Sequence, residues 1–137
     1  MEPTDYNGEM ALHIAVRFGH LAVLKHFLSA GLNLETANSC METPLHIACQ
    51  NGRENVVEFL LQQNVNPNAL DRNGETPLHI AARIGNFPIV RLLLEQSAVK
   101  DIKNAEGKTP LNICKDRLGD FSRLIQQHLE SKRVFTV

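Results

Sequence analysis

Thr76-Pro77-Leu78-His79-Ile80-Ala81 decides how this chain is read. The same six residue types stand 33 residues earlier, as Thr43-Pro44-Leu45-His46-Ile47-Ala48. Looser copies follow the same spacing on either side, as Met10-Ala11-Leu12-His13-Ile14-Ala15 and Thr109-Pro110-Leu111-Asn112-Ile113-Cys114. One unbroken period through almost the whole chain marks a stacked array of repeated units. Each unit then buries its apolar face against its neighbours rather than in a single globular core.

Each copy carries the local chemistry of a helix start. Threonine is a good N-cap, and proline suits the first helical position, where its missing N–H has no partner to lose. In the best unit, 71–103, Asp71-Arg72-Asn73-Gly74 reads as a turn with Gly74 free to take positive φ. A short helix runs through Ala82-Arg83-Ile84 and stops at Gly85. A second helix starts near Pro88 and continues through Ile89-Val90-Arg91-Leu92-Leu93-Leu94, nearly all apolar, as suits packing against both its partner helix and adjacent units. The preceding unit, 38–70, matches this pattern with Val56, Val57, Phe59, Leu60 and Leu61. It places Asn64 where a left-handed cap is needed. Met41 departs from the pattern. It occupies the turn-glycine position, so the hairpin before Thr43 is expected either to be distorted or to offer an apolar contact.

The first unit, 5–37, keeps Gly8, Gly19 and Gly31. The last, 104–137, has Asn112 for His and Cys114 for Ala. Its second helix is shifted by two residues around 115–120, which puts Leu124, Ile125 and Leu129 where Ile89, Val90 and Leu94 fall. Terminal units of such arrays are atypical because an outer face must meet water. Gln126, Gln127, His128, Glu130, Lys132 and Arg133 fit a polar cap. The expectation is one complete domain over 1–137, with its first and last units acting as caps.

The T-P-L-H-x-A pattern resembles the ankyrin repeat, and the resemblance runs from about Asp5 to the C-terminus. It implies an all-α solenoid of four stacked antiparallel helix pairs joined by β-hairpin-like turns. It also implies the function: a monomeric, non-enzymatic module that binds another protein through a concave groove of hairpin tips and first helices. In size the chain resembles the ankyrin inhibitors of cell-cycle kinases and other stoichiometric regulators. The runner-up is a structural module that scaffolds or oligomerises within a larger assembly.

Composition is ordinary for a soluble domain. Apolar residues make up 43% and charged residues 21% of 137 residues, with a net charge of −1. That balance gives no electrostatic case for nucleic acid, which draws a clearly basic face. No apolar run approaches the length of a membrane span, and the acidic Met1-Glu2-Pro3-Thr4-Asp5 is not a signal peptide. Three cysteines, an odd count, do not make a disulfide framework. A reducing compartment, cytosol or nucleus, is the natural reading.

Candidate chemistry is absorbed by the repeat. His13, His46 and His79 recur with the period, and a Thr and His three residues apart can exchange hydrogen bonds at a helix start, as a capping box does. His46 and Cys49 share a helix face, but zinc needs three or four ligands and no second pair is spaced to supply them. Cys49 and Cys114 fall where Ala82 and Ala15 sit, which indicates burial. No glycine-rich phosphate loop is present, and neither a catalytic site nor a cofactor is expected.

Positions that vary while the framework repeats are the candidate partner-binding residues. In the tips these are Tyr6 and Asn7 with Glu9, then Ser39, Met41 and Glu42 with Cys40, then Arg72, Asn73 and Glu75, and finally Lys108 with Ala105 and Glu106. At the ends of the first helices they are Arg17 and Phe18, Gln50 and Asn51, Arg83 and Ile84, and Asp116 and Arg117. Aromatic residues and Arg favour binding hot spots. Phe18 and Ile84 either serve as such or tuck under a neighbouring hairpin. Arg17, Arg83 and Arg117 suggest a basic stripe interrupted by Glu9, Glu42 and Glu75, and Arg83→Ala is expected to change stability by no more than about 0.5 kcal/mol. Two smaller signals are the tail Phe135-Thr136-Val137, which resembles a PDZ-domain ligand, and Asn68. Asn68 stands at the hairpin asparagine that is hydroxylated in some ankyrin proteins, although Asn66 and Pro67 differ from the usual neighbours.

Overall fold

The computed structural model describes residues 11–96, 98–99 and 101–117. The polar cap after 117, the shifted last helix, the PDZ-like tail and Tyr6, Asn7 and Glu9 lie outside them. Among the described residues seven helices follow in order: α1 over 11–17, α2 Leu21–Ser29, α3 Pro44–Gln50, α4 Glu54–Gln62, α5 Pro77–Ile84, α6 Phe87–Glu95 and α7 Pro110–Arg117. No strand occurs among the described residues. The first helices α3, α5 and α7 stand side by side, and the second helices α2, α4 and α6 form a row behind them. One apolar core runs through the stack from Leu12 to Leu94.

Threonine and proline start the helices for the reasons their chemistry suggests. The Thr76 side chain accepts from His79 N at 3.3 Å, while Thr76 N donates to His79 Nδ1 at 3.0 Å. The same box joins Thr43 and His46. The α6 start lies one residue earlier than expected, at Phe87. Asn86 is its cap, accepting from Ile89 N at 3.2 Å. Asn64 takes the left-handed conformation with φ 62°.

The boxes also fix the histidine tautomer. Because Nδ1 receives an N–H, the ring proton sits on Nε2, which donates across to the next unit. His46 Nε2 reaches Glu75 O at 2.8 Å and His79 Nε2 reaches Lys108 O at 2.9 Å. His13 Nε2 contacts Thr36 O at 3.0 Å instead. Each of the later two histidines thus caps its own helix and ties it to the following hairpin, a second role that the local motif does not reveal.

Burial, aided by the Arg83 charge, lowers the His79 pKa below its ordinary 6.5, against the opposing pull of the Lys108 carbonyl and Glu75. A folded value below the unfolded one means that the folded state binds fewer protons, so this contribution to stability is fully present above 6.5 and lost as the pH falls through the folded value. The urea midpoint is therefore expected to decline on acidification below 6.5. It should decline again below 4.5, where Glu75, whose folded pKa is also lowered, takes up its proton. A midpoint flat across the first window would refute the neutral-histidine assignment.

The hairpins close identically in three successive units. Asn38, Asp71 and Asn104 each donate N–H to the carbonyl four residues on, at 3.0, 3.0 and 2.9 Å. Each side-chain Oδ1 also accepts the N–H groups two and four residues ahead. The expected distortion at Met41 does not occur. Met41 adopts φ 62°, close to the 71° of Gly74, and donates to Asn38 O at 2.9 Å as Gly74 does to Asp71 O at 3.0 Å. The hairpin imposes its geometry, and the methionine backbone carries the strain. Met41→Gly is expected to raise stability by about 0.5–1 kcal/mol, the relief of a left-handed non-glycine less the entropy glycine adds to the unfolded chain. A lowered urea midpoint would show instead that the side chain packs.

Candidate functional site

The hairpin tips and the ends of the first helices meet on one side of the stack. Arg83, in the last turn of α5, reaches back eight residues and grips both oxygens of Glu75, at 2.8 Å for Nη1 and Oε1 and through a second, shorter contact between Nη2 and Oε2. Asn104 of the next hairpin donates its Nδ2 to Glu75 Oε2 at 3.0 Å. These residues, with Asn73, Ala105 and Glu106, line a recess of about 360 Å³. One unit earlier, Gln50 makes the equivalent reach to Glu42 at 2.7 Å, and Asn38 donates to the other carboxylate oxygen at 2.9 Å.

Arg83 is therefore not the free cation that a basic stripe requires. Its bond to Glu75 is the largest influence raising its pKa, and the same bond is the main cause holding the Glu75 carboxyl below its usual value against burial. The small expected effect of Arg83→Ala is corrected accordingly. The Glu75 side chain is 10% exposed, so removing its cation strands a nearly buried carboxylate. A loss of about 1–2 kcal/mol is expected, partly recovered in the double variant with Glu75→Gln. Equal urea midpoints for Arg83→Ala and the parent would show that Asn104 alone suffices.

The other candidates divide between framework and open surface. The Arg72 guanidinium is bound to Ser39 O of the previous tip, and adjacent tips are linked by Arg72 N to Cys40 O at 3.0 Å and Ala105 N to Asn73 O at 2.9 Å. Asn51 donates to Ile47 O at 2.9 Å, closing its own helix. The Arg17 carbonyl accepts from Arg53 Nε at 2.8 Å, leaving the Arg17 side chain exposed. Lys108 is half-buried, and its backbone serves the hairpin and His79. Asp116 and Arg117 belong to α7, and their side chains lie outside the described set. Asn68 is half-buried, and its Oδ1 accepts from Val99 N of the next unit at 2.7 Å.

Three residues stand out. Phe18, Met41 and Ile84 are 49–57% exposed. Phe18 and Ile84 do not tuck under a hairpin, at 57% and 49% exposed, and the Phe18 ring lies tilted to that of His20 at 6.2 Å. Asn104 and Asn38 were missed by the sequence reading. Their 33-residue spacing with Asp71 is the signal that could have found them, as is the eight-residue spacing of Glu42 with Gln50 and Glu75 with Arg83. In the sequence, Glu9 with Arg17 and Lys108 with Asp116 keep that spacing and pair opposite charges.

Burial pushes the Cys49 thiol pKa well up, which makes it a core residue and not a nucleophile. Among the described residues no group of three His, Cys, Asp or Glu side chains is placed to hold a metal ion. No described helix is long and apolar enough to cross a membrane.

A row of paired helices with tied hairpins and a recessed side is the construction of a repeat-built recognition scaffold. A family model described as Ankyrin repeats (3 copies) matches residues 1–71, and a second, Ankyrin repeats (many copies), matches 51–94. The chain belongs to the ankyrin-repeat family, whose repeats are generally protein–protein interaction modules. Comparison with curated proteins gave no significant match.

Proposed function

We propose that this chain is a non-enzymatic adaptor or stoichiometric inhibitor that grips one protein partner along its hairpin tips and first-helix ends. The reading rests on the exposure of Phe18, Met41 and Ile84. Each sits beside a helix end or in a turn where the fold would accept glycine or a polar residue, and Met41 does so at a conformational penalty. Exposed apolar side chains between polar pairs are the composition of a binding patch with a polar rim. Glu42–Gln50 and Glu75–Arg83 supply that rim in a preorganised form, so little side-chain ordering remains for the moment of binding. The thiols Cys40 and Cys49 fit a reducing compartment, cytosol or nucleus.

The test is affinity capture from cell lysate with the intact chain beside a Phe18→Ala, Met41→Gly, Ile84→Ala variant shown to be folded by circular dichroism. Arg83 is left intact because its loss would also strip Glu75. A protein retained by the parent and lost from the variant supports the reading. A protein retained equally by both places recognition elsewhere on the stack.

A further inference from the structure

The outward side of α1 and α2 is apolar and open. Ile14, Val23 and Leu28 are 38–42% exposed, whereas their counterparts one and two periods along (Ile47, Val56 and Leu61, then Ile80, Ile89 and Leu94) are 5% exposed or less. Phe27 and Ala11 follow the same trend. Phe27 is half-buried where Leu60 and Leu93 are buried, and Ala11 is exposed where Pro44 and Pro77 are buried.

The contrast identifies what covers these positions elsewhere in the molecule. The first unit differs from the next two in having no described helix pair on its upstream side. Positions closed in all three units, such as Leu12, Leu45 and Leu78, are buried in the first unit too, with no described helix pair upstream of it. Positions open only in the first unit are those that an upstream neighbour covers. The residues there have not been exchanged for polar ones, as a water-facing cap would require. Isoleucine stands at all three first-helix positions, leucine at all three positions from Leu28, and Val23 is matched by Val56 and Ile89.

We propose that the outer face of α1 and α2 is a stacking interface for one more helix pair of the same 33-residue kind, seated upstream of α1, and that the first unit is not a cap. The occupant follows from continuity: α3–α4 and α5–α6 each present this face to a preceding pair, with identical or similar apolar side chains in the same register. Charge argues against a second copy set face to face. Between residues 10 and 34 the chain has Arg17 and Lys25 and no Asp or Glu, so a symmetric pairing would bring two cationic rims together.

The test is made on the full chain with a duplicate of residues 38–70 inserted directly before residue 5, which preserves the period. The expected result is one cooperative transition, with a urea midpoint raised by about 1 M or more and a steeper denaturant slope, since the new interface adds buried surface. In that fusion, Val23→Lys with Leu28→Lys should abolish the gain. The same pair in the unextended chain, where the side chains face solvent, should move the midpoint little. A duplicate that melts separately, or that leaves the midpoint unchanged, overturns the proposal. So does an unextended chain that sediments as a dimer dissociated by the two lysines, which would make a second copy the occupant.

Discussion

Leu93→Ala is expected to remove about 2–5 kcal/mol of stability, the range for deleting a fully buried leucine side chain and leaving a cavity. Leu93 has no exposed surface, and its counterpart Leu60 is equally buried. It lies in α6, which packs against both α5 and α4, so its side chain belongs to the continuous core and not to one unit alone. A domain of this size is stable by only about 5–15 kcal/mol, so the loss is a large fraction of the whole. Urea unfolding checks this directly. The midpoint should fall with the slope nearly unchanged, because the surface exposed on unfolding is almost the same. An unchanged midpoint would contradict the stacked core.

His79→Ala is the second large effect, at about 3–4 kcal/mol, because it leaves the Thr76 N–H, the Thr76 hydroxyl and the Lys108 carbonyl without their buried partner. Those bonds measure 3.0, 2.9 and 2.9 Å around a fully buried ring. The chain itself supplies the control. Asn112 stands in the histidine position of α7, and its Oδ1 accepts from Thr109 N at 3.0 Å while its own N–H donates to Thr109 Oγ1 at 3.2 Å. Asparagine therefore closes the box without the ring that reaches the next hairpin. His79→Asn should cost about half as much as His79→Ala, and the difference between the two urea midpoints separates the cap from the bridge between units. Equal losses would assign the whole effect to the bridge. An asparagine variant as stable as the parent would assign it all to the cap.

The candidate site was legible in part. Tip and helix end meet at two places, Glu42 with Gln50 and Glu75 with Arg83. Their chemistry was not legible residue by residue. Arg83 and Glu75 each read as a free charge, because one lies in a helix and the other in a turn, and a side chain's partner depends on which atoms the fold brings within about 3 Å. Met41 read either as a distortion of the hairpin or as an apolar contact, because propensity gives the penalty of a left-handed methionine but not the backbone bonds that enforce it.

What the sequence by itself determined is the 33-residue period and whatever acts within four or five residues: the Thr-Pro helix starts, the Thr–His boxes, the Asn64 turn and the apolar faces of the second helices. These are caps, turns and periodic faces, and their partners are fixed by chain connectivity. What only the tertiary structure decided spans 29 to 33 residues: the His46 bond to Glu75 O, the Asn104 bond to Glu75 and the grip of Arg72 on Ser39. It also decided that Ile14, Val23 and Leu28 stay open while identical or similar residues one period later are sealed. The physical reason is the same in each case. A stack assigns burial and partners by what lies on either side of a unit, and identical local sequences acquire different environments from their place in the row.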